Sequence, residues 1–402
     1  MIVSRLETGK IRELKAACGC LFSEAAAENE SFLDSLDVDM VKRAYRRNAR
    51  VHHPDMNRDT VVKDVTSDRF LAIKRSYEVL VNYLEGLKPA TDVALSRGKI
   101  IAIGGAKGGI GKSIIAANLG IYLASLGLKT VLVDLDLGGS NLHLYLGYRF
   151  LLRNSINDFL KKRVGSLSDV MVETPHGPIL IGGDSSELGS ANIDFMKKVK
   201  LIKAINAIEA DCVLLDLGGD VSYNILDFFL QADHGIVVTT RDSAAYIGAY
   251  HFLKAAIYRK LNRLTGVEAR SAGGRKDIAL EKYIHDATMS ESGSKTINEL
   301  IDSVRDECPQ YLAAIMKAVW EFNPYLVVNR VPQGVRPEEV AGKIQTVAKK
   351  WLARDVRLLG SIGRHVDVER SAIDLVPAIT RNQRGSFAAE IAAIGDRLVT
   401  GK

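Results

Sequence analysis

The sequence predicts an α/β protein with a mainly parallel sheet covered by helices on both faces, preceded by a small all-α domain. Seven short runs rich in Val, Ile and Leu are nearly continuous rather than alternating, as in strands buried on both faces. Amphipathic segments lie between the runs, and strand–helix–strand alternation is typical of a parallel sheet. The strand runs are 99–105, 129–136, 177–184, 211–218, 234–240, 324–331 and 356–363. Clear helix candidates are 112–126, 192–208 and 243–263.

The chain of 402 residues is too long for one typical domain. Residues 1–88 have a helical pattern, and the following segment 89–98, with Pro89 and small polar residues, predicts a linker. Residues 99–402 form the predicted α/β domain. A helical insertion with no assignable chemistry is expected at about 265–320, where the alternation of strands and helices is interrupted.

The composition is that of an ordinary globular protein, with 47% hydrophobic and 25% charged residues and a formal net charge of +6. No apolar run reaches the ~20 residues that a membrane-spanning helix needs, and the first residues lack the apolar core of a signal peptide. The four cysteines do not form a metal-ligand pattern. We therefore expect a cytoplasmic protein with reduced thiols and no transmembrane segment.

A glycine-rich stretch, "GAKGGIGKS" from Gly105 to Ser113, follows the first strand run and opens a helix. Such a loop directs backbone N–H groups at phosphate oxygens, and the helix adds the positive end of its dipole. Lys112 is placed to reach the β- and γ-phosphates, and the Ser113 hydroxyl is placed to bind magnesium. The alternative, a glycine-rich turn with a chance lysine, does not explain the flanking strand and helix. A second lysine, Lys107, is not needed for this task.

Carboxylates follow two other strand runs. Asp134 and Asp136 in "VLVDLDLGG" lie on one face of a strand, because strand side chains repeat every second residue. Asp216 in "VLLDLGGD" ends another run. In parallel sheets the carboxyl ends of strands meet at the ligand site. We expect these carboxylates to serve magnesium and the attacking water.

The motifs "KGGIGKS", "DLDLGGSNLHLYLG" and "LLDLGGD" resemble those of the deviant Walker A P-loop ATPases of the MinD/ParA family, most of all its FlhG/FleN branch. The resemblance covers about residues 98–400. It implies a P-loop NTPase fold, ATP and Mg²⁺ as cofactors, slow Mg²⁺-dependent hydrolysis of ATP, and an ATP-dependent homodimer. In the family the first lysine crosses the dimer interface to the partner's ATP, a role that falls on Lys107 here.

The resemblance also implies the other site residues. Catalytic roles fall on Lys107, Lys112 and Asp136. Magnesium roles fall on Ser113, Asp134 and Asp216, with Asp134 either a structural or a metal-linked companion of Asp136. Nucleotide contacts fall on Gly108, Gly109, Ile110, Gly111, Lys112, Ser113, Ile114 and Asn329, the last reading adenine.

The sequence departs from the family pattern in places. Arg241-Asp242-Ser243-Ala244 stands where the family has P-E-P-T, and Asp216 is followed by Leu-Gly rather than by a residue and Pro. The last residues do not form a basic amphipathic helix of the MinD type, and the D-Q-A motif of FlhG is not found.

The first zone has its own pattern. Residues 38–51 are basic on one helical face and apolar on the other, His-Pro-Asp at 53–55 ends that helix, and F-x-x-I-x-x-x-Y-x-x-L at 70–80 predicts a second helix. This order resembles a J domain of the DnaJ type over about 36–84, without the usual Tyr and Leu-Gly before the basic helix. It implies contacts to a DnaK-type chaperone through His53, Pro54, Asp55, Arg46 and Arg47. A degenerate docking arm is the alternative.

The sequence thus predicts an ATP-dependent dimerisation switch that controls the placement or number of a flagellum, division site or chromosome, with an unidentified protein partner. One alternative is a J-domain co-chaperone with a nucleotide-binding platform. Another is a ParA-like partition ATPase that binds DNA through the basic cluster at 254–276. An iron–sulfur carrier of the Mrp type is disfavoured, because there is no C-x-x-C.

Overall fold

The structure, a computed structural model, describes residues 8–29, 98–150, 152–183, 193–264 and 296–401, with single positions between 32 and 81 and residues 280 and 284. The chain divides into two compact units, Met1–Ser96 and Arg97–Lys402. All four cysteines are free thiols.

The described part of the first unit is helical. Helix α1 (Thr8–Leu21) is followed by α2 (Glu24–Glu28), whose first turn is capped by the Ser23 hydroxyl accepting from Ala26 N at 3.1 Å. Its core combines apolar side chains of α1 with residues of the two predicted helices, and Tyr45 stacks on Tyr77 with ring centroids 4.5 Å apart. The buried side chains include Leu14, Cys18, Leu21, Val41, Ala44, Ile73 and Leu80. The predicted chaperone-contact residues 46, 47 and 53–55 lie outside the described residues.

The second unit is built on an eight-stranded sheet in the order β3-β4-β2-β5-β1-β6-β7-β8. All pairs are parallel except β3 with β4, so the predicted fold class is confirmed. The seven predicted strands all form, and the short antiparallel edge strand β3 is added to them. The strands are β1 (Lys99–Gly104), β2 (Thr130–Leu135), β3 (Met171–Glu173), β4 (Ile179–Ile181), β5 (Cys212–Leu217), β6 (His234–Thr239), β7 (Tyr325–Val331) and β8 (Arg357–Gly363).

Helices cover both faces of the sheet, and each face has its own apolar core. They are α3 (Lys112–Ser125), α4 (Leu142–Tyr145), α5 (Ile156–Leu160), α6 (Phe195–Asn206), α7 (Tyr223–Gln231), α8 (Ser243–Asn262), α9 (Ile297–Glu307), α10 (Leu312–Trp320), α11 (Pro337–Leu352), α12 (Val366–Asp374), α13 (Ala378–Arg381) and α14 (Ser386–Thr400). One core contains Leu253 of α8 and Ile205 of α6, and the other contains Ile115 of α3 and Ile391 of α14. The sheet is therefore the middle layer of three.

The described part of the segment predicted as an insertion contains α9 and α10. Helix α9 begins with a capping box in which Thr296 and Glu299 exchange hydrogen bonds. Its apolar face, with Leu300 and Val304, belongs to the same core as α8. This part of the insertion is thus integral to the α/β unit.

A buried ion cluster joins three helices on one face of the sheet. Asp227 of α7 accepts from Arg259 of α8 through two bonds, Nε to Oδ1 at 2.7 Å and a terminal nitrogen to Oδ2 at 2.8 Å. Lys198 of α6 donates to the same carboxylate, and its side chain is only 6% exposed. Burial alone raises the pKa of Asp227, but the hydrogen bonds from Arg259 and Lys198 outweigh it, and the net pKa is lowered.

We expect Asp227→Asn to lower the free energy of unfolding by about 3–5 kcal/mol, because two buried or half-buried cations lose their counter-charge. Urea denaturation followed by circular dichroism measures this loss. The difference in unfolding free energy between the wild-type chain and the variant should become smaller at acid pH. Because the pKa of Asp227 is lowered in the folded state, the stability that its carboxylate contributes is complete above the ordinary pKa of about 3.9. That contribution is lost as the pH falls through the lowered pKa of the folded state.

Asp302→Asn is the matched control. Asp302 forms an ion pair of 2.5 Å with Arg305, but both side chains are more than half exposed. Its removal should change the stability by less than about 1 kcal/mol. Equal losses in the two variants would show that the buried cluster does not hold the three helices together.

Candidate functional site

The glycine-rich loop joins the central strand β1 to α3. Gly111 has a φ of +96°, in the left-handed region, and a Cβ there would lie 2.4 Å from Asn329 Nδ2. Only glycine satisfies both conditions. Helix α3 begins at Lys112, and within this fully described stretch no side chain caps its first turn. Its first N–H groups therefore remain available to an anion held by the loop.

Lys112 is the buried cation of the site. Its side chain folds back over the loop, and Nζ donates to the Lys107 carbonyl oxygen at 3.0 Å. Burial lowers the pKa of Lys112, and the carboxylates Asp216, Asp136 and Asp220 oppose that shift. The ammonium group thus lies among three carboxylates and has donors to spare for phosphate oxygens.

The side chain of Lys107, unlike that of Lys112, lies at the protein surface. Its ammonium forms an ion pair of 3.1 Å with Asp242 Oδ1, and both side chains are about half exposed. Asp242 caps α8 by accepting from Ala245 N at 3.0 Å, and it also accepts from the Thr240 hydroxyl. The hydrogen bond from Thr240, with smaller effects from Ala245 and Lys107, lowers the pKa of Asp242. The Lys107 ammonium is therefore held at the surface by Asp242.

Two of the predicted carboxylates lie side by side, because Asp134 and Asp216 are opposite each other on the paired strands β2 and β5. Both oxygens of Asp134 accept hydrogen bonds from the segment that follows β2. The donors are the Ser140 hydroxyl at 2.6 Å, Leu142 N at 3.1 Å and Asp136 N at 3.2 Å. Burial raises the pKa of Asp134 to about 6 in spite of these bonds. Asp134 thus orders the segment that follows β2.

Asp216, unlike Asp134, lacks hydrogen bonds of this kind among the described residues. It is 1% exposed, and neither of its oxygens has a hydrogen-bond partner of normal geometry among the described residues. Burial and the neighbouring Asp134 raise its pKa, while the nearby Ser113 hydroxyl and Lys112 act in the opposite direction. Such an unsatisfied buried carboxylate beside a serine hydroxyl fits a bound Mg²⁺, which takes one or two protein oxygens, waters and phosphates.

Asp136 and Asp220 complete the acidic edge. Asp136 lies over the segment after β5, since a Cβ on Gly218 would be 3.5 Å from its Oδ1. Gly219 approaches the phosphate loop so closely that its Cβ would lie 2.7 Å from Gly108 N. Asp220 accepts from Ser222 N at 2.7 Å and lies close enough to Lys112 to influence its pKa. Asp220 was not predicted, although it stands in the same motif as Asp216.

Asn329 connects β7 to the loop. Its Nδ2 donates to the Ile110 carbonyl oxygen at 2.7 Å, and its Oδ1 accepts from Arg330 N at 2.9 Å. An amide group has two donor hydrogens and two acceptor lone pairs, so one donor and one acceptor position are not used by these two bonds. Asn329 also lines a cavity of about 640 Å³ that begins at Gly111 and Ile114.

Among the described residues, no group of three or more His, Cys, Asp or Glu side chains is arranged to hold a metal ion by itself. In the same part of the chain, no helix is long and apolar enough to cross a membrane. A metal at Asp216 and Ser113 would therefore depend on other ligands, as Mg²⁺ does at phosphate sites.

Comparison with known proteins decides the family. Residues 101–377 match the CobQ/CobB/MinD/ParA nucleotide-binding domain. This chain belongs to that family. The MinD/ParA resemblance is thereby confirmed, as are the cofactors ATP and Mg²⁺, which the family uses. An ATPase of the MinD/ParA type is also supported at the level of the family.

Individual relatives match shorter regions. The antiactivator FleN of Pseudomonas aeruginosa is 27% identical over 158 residues, 39% of this chain and 55% of FleN. The flagellum site-determining protein YlxH of Helicobacter pylori is 30% identical over 164 residues, 39% of this chain and 53% of YlxH. The septum site-determining protein MinD of Helicobacter pylori is 29% identical over 188 residues, 46% of this chain and 65% of MinD. The chain spans less than two thirds of each relative.

Solved structures support the fold. A ParA family ATPase from Chlorobium tepidum TLS has a TM-score of 0.51 at 16% identity, covering 75% of this chain and 100% of that one. A chain of the MinC:MinD cell division protein complex of Aquifex aeolicus has a TM-score of 0.50 at 19% identity, covering 76% of this chain and 96% of that one. At these identities the likeness concerns the fold alone.

The predicted site residues of the MinD/ParA domain converge at one edge of the sheet, except that the Lys107 ammonium turns to Asp242. Sequence reasoning missed Asp242 as a lysine partner, although Asp242 lies in the segment that departs from the family pattern. It also missed Asp220. The paired strand-end carboxylates and the G-K-S sequence were the signals that located the site.

Gly111→Ala should abolish nucleotide binding while the chain still folds, because the new Cβ strains the loop and collides with the Asn329 amide. Isothermal titration with ATP and Mg²⁺ measures the binding. Gly342→Ala is the control: Gly342 lies inside α11 with no atom within 4 Å of its added Cβ, so binding should be unchanged and stability should rise by up to about 1 kcal/mol. Normal ATP binding by Gly111→Ala would contradict this account of the loop.

Proposed function

We propose that this chain is an ATP-driven dimerisation switch: ATP closes two copies face to face, and hydrolysis of ATP lets them separate. The observation that carries the proposal is the position of Lys107. Its ammonium is half exposed, and its ion-pair partner among the described residues is the half-exposed Asp242, while the buried Lys112 already serves the chain's own phosphate loop.

Closure would exchange one counter-charge of Lys107 for another. On dimerisation the ammonium would leave Asp242 and contact the phosphates of the partner's ATP. A cation supplied across an interface stabilises transition-state charge only when the two subunits are together. Because ATP would bind the dimer more tightly than the monomer, ATP would also drive association by mass action.

Hydrolysis would use the acidic edge of the sheet. Asp136 would orient the attacking water, and Lys112 would neutralise charge on the phosphates. Ser113 and Asp216 would hold Mg²⁺, which supplies charge neutralisation at the phosphate oxygens. Asp134 would act indirectly, because its oxygens already order the segment from Asp136 to Leu142. Slow turnover is expected, since the reaction waits for closure.

The output of the switch would be placement or number of a cellular structure such as a flagellum, a division site or a chromosome, acting in the cytoplasm through a protein partner. The assignment is supported by the similarity to the antiactivator FleN, the flagellum site-determining protein YlxH and the septum site-determining protein MinD. The J-like region would dock that partner or a DnaK-type chaperone. This part of the proposal is supported by the His-Pro-Asp sequence and its flanking helices.

The DNA-binding alternative gains little from the basic cluster at 254–276. Arg259 is committed to the buried Asp227, and Lys260 forms an ion pair of 3.5 Å with Glu321. Arg259 is 15% exposed and Lys260 is 25% exposed, and a cation already paired with a carboxylate is less available to DNA phosphates. The described part of the cluster thus favours a structural role for these two residues.

Light scattering in the apo, ADP and ATP states tests the switch. The wild-type chain should double its molar mass of 43.9 kDa only with ATP and Mg²⁺. Lys107→Ala should bind ATP yet stay monomeric and lose at least about tenfold in turnover, because the cross-interface cation is missing. Lys112→Ala should lose ATP binding and turnover together.

Lys197→Ala is the matched control, since Lys197 is 47% exposed, like Lys107, and forms a similar ion pair with Asp194 at 2.8 Å. It should dimerise normally. A monomer under every nucleotide would overturn the switch. ATP binding without turnover would instead favour a co-chaperone whose nucleotide domain is a platform.

Asp242→Asn tests the exchange of partners. Asparagine caps helices about as well as aspartate does, so α8 should keep its first turn while Lys107 loses its counter-charge. We expect the ATP concentration at half-maximal dimerisation to fall about two- to fivefold, in line with the loss of an exposed ion pair. An unchanged or higher value would show that Asp242 does not restrain Lys107.

A further inference from the structure

The 640 Å³ cavity beside Asn329 contains a histidine that neither the motifs nor the proposed mechanism uses. His365 follows β8 and lines the cavity together with Arg364 and Phe387. Another part of the lining comes from the phosphate loop, Gly111, and the first turn of α3, Ile114. A ligand whose phosphates occupy the loop would therefore extend its other end towards His365.

Both nitrogens of His365 are already engaged. Nε2 lies 2.7 Å from Glu390 Oε2, and Nδ1 lies 3.3 Å from the Ser386 hydroxyl. Glu390 is itself fixed, because the same oxygen accepts from Gly363 N at 3.0 Å. The Phe387 ring packs against the imidazole at 5.7 Å in an edge arrangement. Three side chains of α14 thus hold the imidazole ring in place. The side chain of His365 is only 16% exposed.

Because both ring nitrogens are engaged, His365 offers the cavity the carbon surface of its ring rather than a free donor or acceptor. The imidazole cannot read donors and acceptors of a base while its nitrogens bond to Glu390 and Ser386. A π-face, in contrast, stacks on any base, and such stacking contributes about 1–3 kcal/mol per base in nucleic-acid sites. Asn329, with one donor and one acceptor position not used by its bonds to Ile110 and Arg330, supplies the hydrogen-bonding complement in the same cavity.

We propose that His365 is the stacking platform for the nucleotide base, positioned by Glu390 of α14. This inference rests on the proposed nucleotide function and names the residue that holds the base. Its contribution concerns the base and not the phosphates. Glu390 acts through His365 and is a positioning residue.

The test compares ATP with inorganic tripolyphosphate, which has the phosphates but no base, using the full chain with Mg²⁺ and isothermal titration. His365→Ala should weaken ATP binding about tenfold and leave tripolyphosphate binding unchanged. His365→Phe, which keeps an aromatic face, should restore most of the ATP affinity. Glu390→Ala should also weaken only ATP, and should add nothing in the His365→Ala background, because both changes remove one platform. His251→Ala, at an exposed histidine of α8, is the control.

Two failures are distinguishable. A wild-type chain that does not bind ATP would overturn the proposed function itself. A wild-type chain that binds ATP, with His365→Ala either unchanged or equally weakened for ATP and tripolyphosphate, would overturn only the platform. Failure of His365→Phe to recover ATP affinity would also overturn the stacking platform. This variant tests the platform even where tripolyphosphate binds too weakly to measure.

Discussion

The buried charge at the carboxyl ends of β1, β2 and β5 is the constraint on which the rest of the site depends. Lys112 has one hydrogen bond, to the Lys107 carbonyl, and Asp216 has none of normal geometry among the described residues. Charged groups removed from water in this way are costly unless they are paired. Phosphate for Lys112 and Mg²⁺ for Asp216 would supply partners for these two charges, so their desolvation favours binding of the nucleotide.

The sheet order explains why distant segments meet there. The central strand β1 has β5 and β6 as neighbours, and β2 pairs with β5, so the loops after four parallel strands share one edge. The sequence was sufficient to predict a site at the carboxyl ends of the strands, though not the order of the strands, because buried parallel strands have continuous apolar runs and their polar residues appear where each run ends. The strand β3 escaped prediction because three residues on an antiparallel edge, Met171–Glu173, carry too little pattern.

Partnerships across long separations could not be predicted from the sequence. Lys107 meets Asp242 across 135 positions, and Asn329 meets Ile110 across 219. The ion cluster of Lys198, Asp227 and Arg259 was not predicted. Each contact depends on how helices pack on the sheet, and periodicity fixes only which face of a helix is buried. The conflict with the family pattern at 241–244 was the one local sign that Asp242 has a separate role.

The strength of the Lys107–Asp242 pair determines what kind of switch is possible. Both side chains are about half exposed, and exposed ion pairs contribute roughly 0–1 kcal/mol. A charge-assisted hydrogen bond to a phosphate in a closed, water-poor interface contributes about 1.5–3 kcal/mol. The proposed exchange would therefore be unfavourable without a partner and favourable with one, and two such exchanges would occur in the proposed symmetric dimer. A buried pair like that of Asp227 would hold Lys107 too tightly for ATP to release it.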